Sequence, residues 1–256
     1  MYANERYDQI LAILKVKKKV TVENLVKELY VSPATVRRDL DAMQKRGLLK
    51  RTHGGAILFY SSNEESSLFV REEIMKKEKH EICEKCTDLI KSNQSIFIDS
   101  SSTVSHLIPL LNQFKTLTLV TNGLSSALLL KSNTNFRVFI PSGFIQSQSN
   151  SVLGSSTINQ LASIHVDLCI ISCAGFDLEH GISEASIEQA EVKRLMIKNA
   201  NKAILLIDSS KFKKVFISKI CDLTDIDTII TDKGIRLCYR HSEVRYSPNL
   251  LIQNHF

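Results

Sequence analysis

Beyond residue 90, five small polar clusters directly follow apolar runs: Asp99-Ser100-Ser101-Ser102-Thr103, Thr121-Asn122-Gly123, Pro141-Ser142-Gly143, Cys173-Ala174-Gly175 and Asp208-Ser209-Ser210-Lys211. Hydroxyls and backbone N–H groups in such clusters suit an oxyanion such as phosphate. Lys211 adds an ammonium beside two hydroxyls, a point charge that can meet a phosphate. Singly, each cluster is also what a turn requires, because Ser, Asn and Gly populate loops for conformational reasons alone. Five together predict a ligand pocket.

A second constellation lies near the start, where residues 31–56 read VSPATVRRDLDAMQKRGLLKRTHGGA. A Ser-Pro pair opens a helix, adjacent arginines follow, and a small basic hairpin with two glycines closes the stretch. These residue types suit a polyanion surface. A third group, His80, Cys83 and Cys86, sits at helical spacing and offers part of a metal or redox site. A structural zinc takes four ligands, however, and no second CxxC or closely spaced His pair follows. Burial of two small apolar thiols is the stronger expectation, so neither metal nor cofactor is expected.

The elements that must position these groups can be read from periodicity. Ile10, Ile13 and Leu14 recur at helical spacing and predict a first helix over about 4–15. Thr21 is a plausible N-cap for a second helix carrying Leu25, Val26 and Leu29 inward. Ser32 caps a third, with Pro33 at the first helical position, where a missing N–H costs nothing. Val36, Leu40 and Met43 share its inner face. Ala34, Arg38, Asp41 and Lys45 point away, with Thr35 and Arg37 on the flanks. Gly47 reads as its C-cap, Leu48 to His53 as a strand, Gly54 and Gly55 as a turn, and Ala56 to Phe59 as the returning strand.

Charge agrees with this division. The formal net charge is +6; residues 1–58 hold 12 of the 33 basic and 6 of the 27 acidic side chains, which leaves 21 of each in the remainder. All of the excess positive charge therefore lies in the first quarter of the chain, as in a polyanion-binding module joined to a neutral one. No stretch approaches the roughly 18 apolar residues of a membrane span, and the apolar run Ile10 to Leu14 is broken by Lys15. Six cysteines without a secretion signal predict reduced thiols and a cytoplasmic location.

Three helices and a hairpin make a winged helix-turn-helix, whose third helix enters the major groove of duplex DNA. Small residues at its start (Ser32, Ala34, Thr35) allow close approach, and Arg37 and Arg38 reach phosphates or guanine edges. Lys50, Arg51, His53 and Gly54 form the wing, against the DNA backbone or the minor groove. The competing reading is a surface helix in which Arg37 or Arg38 pairs with Asp41. It explains neither the Ser-Pro start nor the glycine wing.

After a polar, serine-rich segment (59–75 as a linker), short apolar runs alternate with helical segments: SIFID at 95–99, LTLVT at 117–121, FRVFI at 136–140, VDLCIIS at 166–172, KAILLID at 202–208 and DTIITD at 227–232. Continuous apolar runs argue for buried parallel strands, hence an open α/β sheet over 76–256 with ligands at the carboxyl ends of its strands. The tail from Arg236 to Phe256, with Arg240 and Arg245, fits either a sheet edge or a neighbouring subunit.

Glu5-Arg6 and the run VSPATVRRDLDAMQKRGLLKRTHGGA resemble the N-terminal domain of the DeoR family of bacterial transcriptional regulators. VTN at 120–122, Gly175, the Glu191–Lys193 pair and DSSK at 208–211 resemble that family's sensor domain, which is related in fold to ribose-phosphate isomerases and coenzyme A transferases. The resemblance implies a homo-oligomeric repressor of sugar-metabolism genes that releases its operator when a phosphorylated sugar binds the second domain, although activation stays open. It implies Asp99 to Thr103 and Lys211 as phosphate and sugar contacts, Thr121, Asn122 and Gly143 as pocket lining, and Lys193 as a further candidate. Two departures stand out: Ser101 and Ser142 occupy positions where the family commonly has glycine, which matters if φ there is positive. An enzymatic alternative, a sugar-phosphate isomerase with an accessory DNA-binding domain, would need a carboxylate base, for which Glu184, Glu188 and Glu191 are candidates. A DNA-binding architectural protein without an effector is disfavoured by the pocket-like loops.

Overall fold

In the computed structural model, which describes residues 3–45, 48–57, 68–232 and 251–253, the chain divides into two compact units, Met1–Arg71 and Glu72–Phe256. The first is built on three helices that bury one face each. Helix α1 (Ala3–Lys17) buries Ile10, Leu11 and Leu14; α2 (Val22–Leu29) buries Leu25 and Leu29; α3 (Pro33–Lys45) buries Val36, Leu40 and Met43. The caps are as expected: the Asn24 N–H donates to Thr21 Oγ1 at 3.2 Å, and the Thr35 N–H donates to Ser32 Oγ at 3.1 Å.

The wing is larger and differently phased than the sequence reading. Lys19–Thr21 is itself a strand, β1, and pairs antiparallel with β3 (Gly55–Ile57), which also pairs with β2 (Lys50–Thr52). Gly55 thus belongs to the central strand, not to the turn, which falls on His53 and Gly54. Its glycine identity follows from packing: a Cβ there would stand 1.9 Å from the Val20 carbonyl oxygen. The expected Gly47 C-cap, the wing beyond Ile57, the segment 58–67 and most of the tail lie outside the described residues.

The second unit begins with α4 (Leu68–Glu73), which straddles the division, and α5 (Lys76–Thr87). All six expected strands are present as β4 (Ser95–Ile98), β5 (Leu117–Thr121), β6 (Phe136–Phe139), β9 (Val166–Ile171), β12 (Ala200–Ile207) and β14 (Thr228–Thr231). With β15 (Leu251–Gln253) they form a seven-stranded sheet in the order β15-β14-β12-β9-β4-β5-β6, every pairing parallel. The described part of the tail therefore adds to the sheet edge.

Alternation along the strands makes two cores. Ile96, Ile98, Leu168, Ile170, Ile204 and Leu206 face α5 with its Ile82, Cys83 and Cys86. Phe97, Cys169, Ile171, Leu205 and Ile207 face the opposite layer, which holds α8 (Ser155–Ala162) and α9 (Ile187–Lys198). Helices α6 (Ser102–Ser105) and α7 (Leu124–Leu130) follow β4 and β5. The sequence reading missed two small antiparallel sheets: the hairpin β7 (Phe144–Gln146) with β8 (Ser151–Leu153), and β10 (Gly175–Asp177), β11 (Gly181–Glu184) and β13 (Ser218–Cys221).

Candidate functional site

The N-cap Ser32 and, on α3, Pro33, Ala34, Arg37, Arg38, Asp41, Gln44 and Lys45 are exposed, with Thr35 half-buried. The inner face contains one polar member that the wheel did not flag: Asp39 is buried and takes a two-pronged bond from Arg6 of α1, Nε to Oδ2 at 2.6 Å and Nη2 to Oδ1 at 2.9 Å. The Asp39 hydrogen bond outweighs partial desolvation and holds the Arg6 guanidinium more firmly protonated than usual. This pair fixes α3 against α1 in a defined register.

Asp41 has a partner too, but not the Arg37 or Arg38 of the competing reading. Arg51 of the wing donates from Nη1 to Asp41 Oδ1 at 2.7 Å and to the Arg37 carbonyl at 3.1 Å, while its own N–H donates to Gln44 Oε1 at 2.6 Å. The reason is geometric: Arg37 and Arg38 point outward, whereas β2 runs beside the last turns of α3. Arg51 thus ties the wing to the helix, and both adjacent arginines stay exposed. His53 and Gly54 are exposed at the tip of the wing, and Lys50 is exposed on β2.

In the second unit, strand order marks out one crevice. From β4 the chain steps outward through β5 and β6; from β9 it steps the other way through β12 and β14. The order reverses between β4 and β9, and the crevice beyond their carboxyl ends is where open α/β sheets bind ligands. Asp99 ends β4 there, fully buried. Its Oδ1 accepts from the Ser101 N–H (3.1 Å) and Ser101 Oγ (2.6 Å), and its Oδ2 accepts from the Ser172 N–H (3.3 Å) at the end of β9. Ser101 in turn caps α6, accepting from the Val104 N–H at 3.3 Å. Its φ is −74°, so the serine in place of a glycine carries no backbone strain; Ser142 likewise avoids positive φ.

Around this loop lies a buried hydroxyl network. Ser100 Oγ meets Ser151 Oγ at 2.7 Å and Gln189 Oε1 at 3.4 Å, and Gln189 Nε2 donates to Ser151 Oγ (2.7 Å) and Ser149 Oγ (3.1 Å). Ser102 Oγ accepts from the buried Lys79 ammonium at 3.0 Å, and Thr103 Oγ1 meets Ser172 Oγ at 3.3 Å. Asn122, at the end of β5, is buried with its Oδ1 unpartnered, as is Asp208 Oδ2 at the end of β12. Buried acceptors without donors are costly unless something else supplies the hydrogen, so both are suited to a ligand hydroxyl. Thr121 Oγ1 accepts from the Gly123 N–H at 3.0 Å and shapes that turn.

Lys193 takes its partners from elements remote in sequence. It is buried on α9 and does not pair with Glu191, which is exposed; its Nζ reaches Asp99 Oδ2 at 3.1 Å, a Glu184 oxygen in close contact, and the Ser172 carbonyl at 2.8 Å. Burial alone would lower its pKa, but Glu184 and Asp99 more than compensate and raise it. The ammonium locks β4, β9 and β11 together. Ser142 and Gly143 sit on the exposed β6–β7 loop, bonded to α8 through Gln160 Oε1 and Thr157 Oγ1. A Cβ on Gly143 would meet the Leu153 carbonyl at 2.3 Å, and one on Gly175 the Lys214 carbonyl at 2.4 Å. Both glycines answer to close chain approach. Lys211 is half-buried on the turn after β12, near enough to Cys173 to act on its charge.

The third group behaves as thiols in a core. Cys83 and Cys86 are buried facing the sheet, desolvation pushes the Cys83 thiol up to about 12, and His80 lies exposed beside Glu84. Among the described residues no cluster of His, Cys, Asp and Glu is arranged to hold a metal ion, and no helix is long and apolar enough to cross a membrane. The sequence reading missed Lys79, Ser149, Ser151, Ser172 and Gln189. Only Lys79 had a signal: it extends the stripe of Ile82, Cys83, Cys86 and Ile90 by one helical turn.

A DeoR-like helix-turn-helix profile matches residues 6–62, and the DeoR C-terminal sensor domain matches residues 74–233. The chain belongs to the DeoR family. It is a DNA-binding transcriptional regulator with a sensor domain. Similar proteins include the HTH-type transcriptional regulator GolR of Listeria innocua (36% identity, 92% of each chain) and the L-fucose operon activator of Haemophilus influenzae (31%, 93% of this chain and 97% of that one). The glycerol-3-phosphate regulon repressor of Escherichia coli is 28% identical over 91% of this chain and 92% of that one. Among solved structures, ribose 5-phosphate isomerase A of Methanocaldococcus jannaschii is a distant likeness, with 14% identity, a TM-score of 0.41, and 55% and 56% of the two chains covered.

Proposed function

We propose that this regulator represses sugar-metabolism genes in the cytoplasm and leaves its operator when a phosphorylated sugar binds at the carboxyl ends of β4, β5, β9 and β12. One observation carries the reading: a buried hydroxyl loop at Ser100–Thr103, bonded to Ser151 and Ser172, with the Lys79 ammonium beneath it and two orphaned acceptors at neighbouring strand ends, on a chain that also carries the exposed arginines of α3. The phosphate meets Ser100, Ser102, Thr103 and Lys211. The sugar hydroxyls donate to Asn122 and Asp208, with Thr121 and Gly123 shaping the wall. Lys193, Gly143 and Gly175 position these loops and do not touch the effector.

On the DNA side, Ser32 to Thr35 stand over base edges, Arg37, Arg38 and Lys45 neutralise phosphates or read guanine, and Lys50, His53 and Gly54 follow the backbone. A homo-oligomer presents two such surfaces to paired half-sites about one or more helical turns apart. With about four phosphates neutralised per subunit, log affinity falls against log salt with a slope of roughly −7. The effector acts by its differential affinity for the bound and released states. The pocket senses and does not catalyse: Glu184, the only buried carboxylate among the three candidate bases, is committed to Lys193, and Glu188 and Glu191 are exposed.

A thermal-shift screen of the full chain against phosphorylated sugars and their unphosphorylated counterparts tests this. Stabilisation by one phosphate ester, and release of DNA by that same ester, is expected. Stabilisation by unphosphorylated sugars alone would overturn the phosphate assignment.

A further inference from the structure

Helix α2 ends at Leu29, and Tyr30, which closes it, takes a left-handed backbone with φ 54° and ψ 41°; its N–H donates to the Val26 carbonyl at 3.0 Å. That conformation at a helix C-terminus belongs to glycine, or to asparagine, because a Cβ crowds the carbonyl. A bulky residue kept there normally gains something from packing. Tyr30 gains little: it is 92% exposed, the most exposed large apolar side chain among the described residues, and its hydroxyl has no partner among them. A large amphipathic side chain held in an unfavourable conformation with nothing to pack against points to a contact outside the chain.

The position says which. Ser32, the cap of α3, is two residues further on, within about 7 Å along the chain. Tyr30 therefore borders the surface of Ser32, Pro33, Ala34, Arg37 and Arg38, all exposed. The neighbouring acid, Glu28, is paired with Lys17, which offsets the charge that would otherwise repel a phosphate.

We propose that Tyr30 is a DNA-backbone contact, its phenol donating a hydrogen bond to a phosphate oxygen at the edge of the groove that α3 enters. The contact explains a tyrosine where the backbone favours glycine or asparagine. It rests on α3 being the DNA-reading helix. Tyrosine hydroxyls serve this purpose, and such contacts fix register without reading sequence.

The test uses full-length Tyr30→Phe, Tyr30→Asn and, as a control, Arg37→Ala. Binding is measured by fluorescence anisotropy on a mixed-sequence 30-base-pair duplex and on a duplex selected from a random pool by the wild-type chain. Tyr30→Phe should weaken both complexes about tenfold. Tyr30→Asn should weaken them at least as much, yet raise Tm, because the backbone conformation is relieved. Both leave the salt slope unchanged, whereas Arg37→Ala, which removes one phosphate contact from each of two subunits, lowers it by about two. Wild-type affinity in Tyr30→Asn, or a lowered Tm, overturns the proposal. A loss confined to the selected duplex, or seen in Tyr30→Asn but not Tyr30→Phe, overturns the phosphate hydrogen bond in favour of base reading or stacking. If the wild-type chain binds neither duplex, the DNA-reading role of α3 fails first.

Discussion

Lys193→Met keeps most of a buried side chain's volume and deletes only its charge. The ammonium holds Asp99 Oδ2 at 3.1 Å, Glu184, and the Ser172 carbonyl at 2.8 Å; the three ionic side chains are 5%, 1% and 6% exposed, so solvent screens them little. Without the lysine, two carboxylates remain buried side by side with no counter-charge. Removing one member of a buried ionic set costs about 3–5 kcal/mol, a large part of the roughly 5–15 kcal/mol that holds an ordinary domain together. At about 2 kcal/mol per molar urea, the midpoint of the sensor transition should fall by about 2 M. Far-UV circular dichroism is the suitable probe, since the chain has no tryptophan. The triple variant Lys193→Met, Asp99→Asn, Glu184→Gln removes all three charges and should regain a good part of the loss, because the penalty is for unbalanced charge. A midpoint drop below about 0.5 M, or a triple variant less stable than the single one, would refute the claim that this ammonium locks β4, β9 and β11.

Gly55→Ala forces a Cβ against the Val20 carbonyl and should cost the winged helix about 3 kcal/mol, read as a lower first transition in the same urea titration. Arg51→Ala should change stability by less than about 1 kcal/mol, since Asp41 is largely exposed, yet weaken DNA binding in an anisotropy assay by unfastening the wing from α3. His106 is half-buried with Nε2 3.2 Å from the Glu72 carbonyl, and burial, aided by Lys79, Lys76 and His80, lowers its pKa against a smaller opposing effect of that hydrogen bond. A depressed folded-state pKa means that its contribution is present above the ordinary histidine value of about 6.5 and is lost as pH falls through the folded one. Stability should therefore decline from pH 7 to pH 5, and less so in His106→Asn.

Much of the architecture was written in short-range pattern. Six apolar runs without alternation meant strands covered on both faces, and each appears in the parallel sheet. Ser32-Pro33 and Thr21 announced helix starts because capping is a contact between residues three apart. The small sheets were harder: β10, β11 and β13 are three or four residues long, too short to show a period, and β13 comes only after α9 and β12. β1 looked like a lead-in to α2 because its pairing partner lies more than thirty residues away.

By itself the sequence determined what depends on neighbours along the chain: where helices start, which faces are apolar, where charge accumulates, and which motifs mark a DNA-reading helix beside a sensor. Only the tertiary structure decided which partners the charged and polar groups take. Asp41 is held by the wing's Arg51 and not by Arg37 or Arg38, Asp39 by Arg6 across 33 residues, and Lys193 by Asp99 and Glu184 and not by the nearby Glu191. The physical reason is that an ion pair or buried hydrogen bond depends on distance in space and on desolvation. Both arise when elements remote in sequence pack, and neither leaves a spacing to be read.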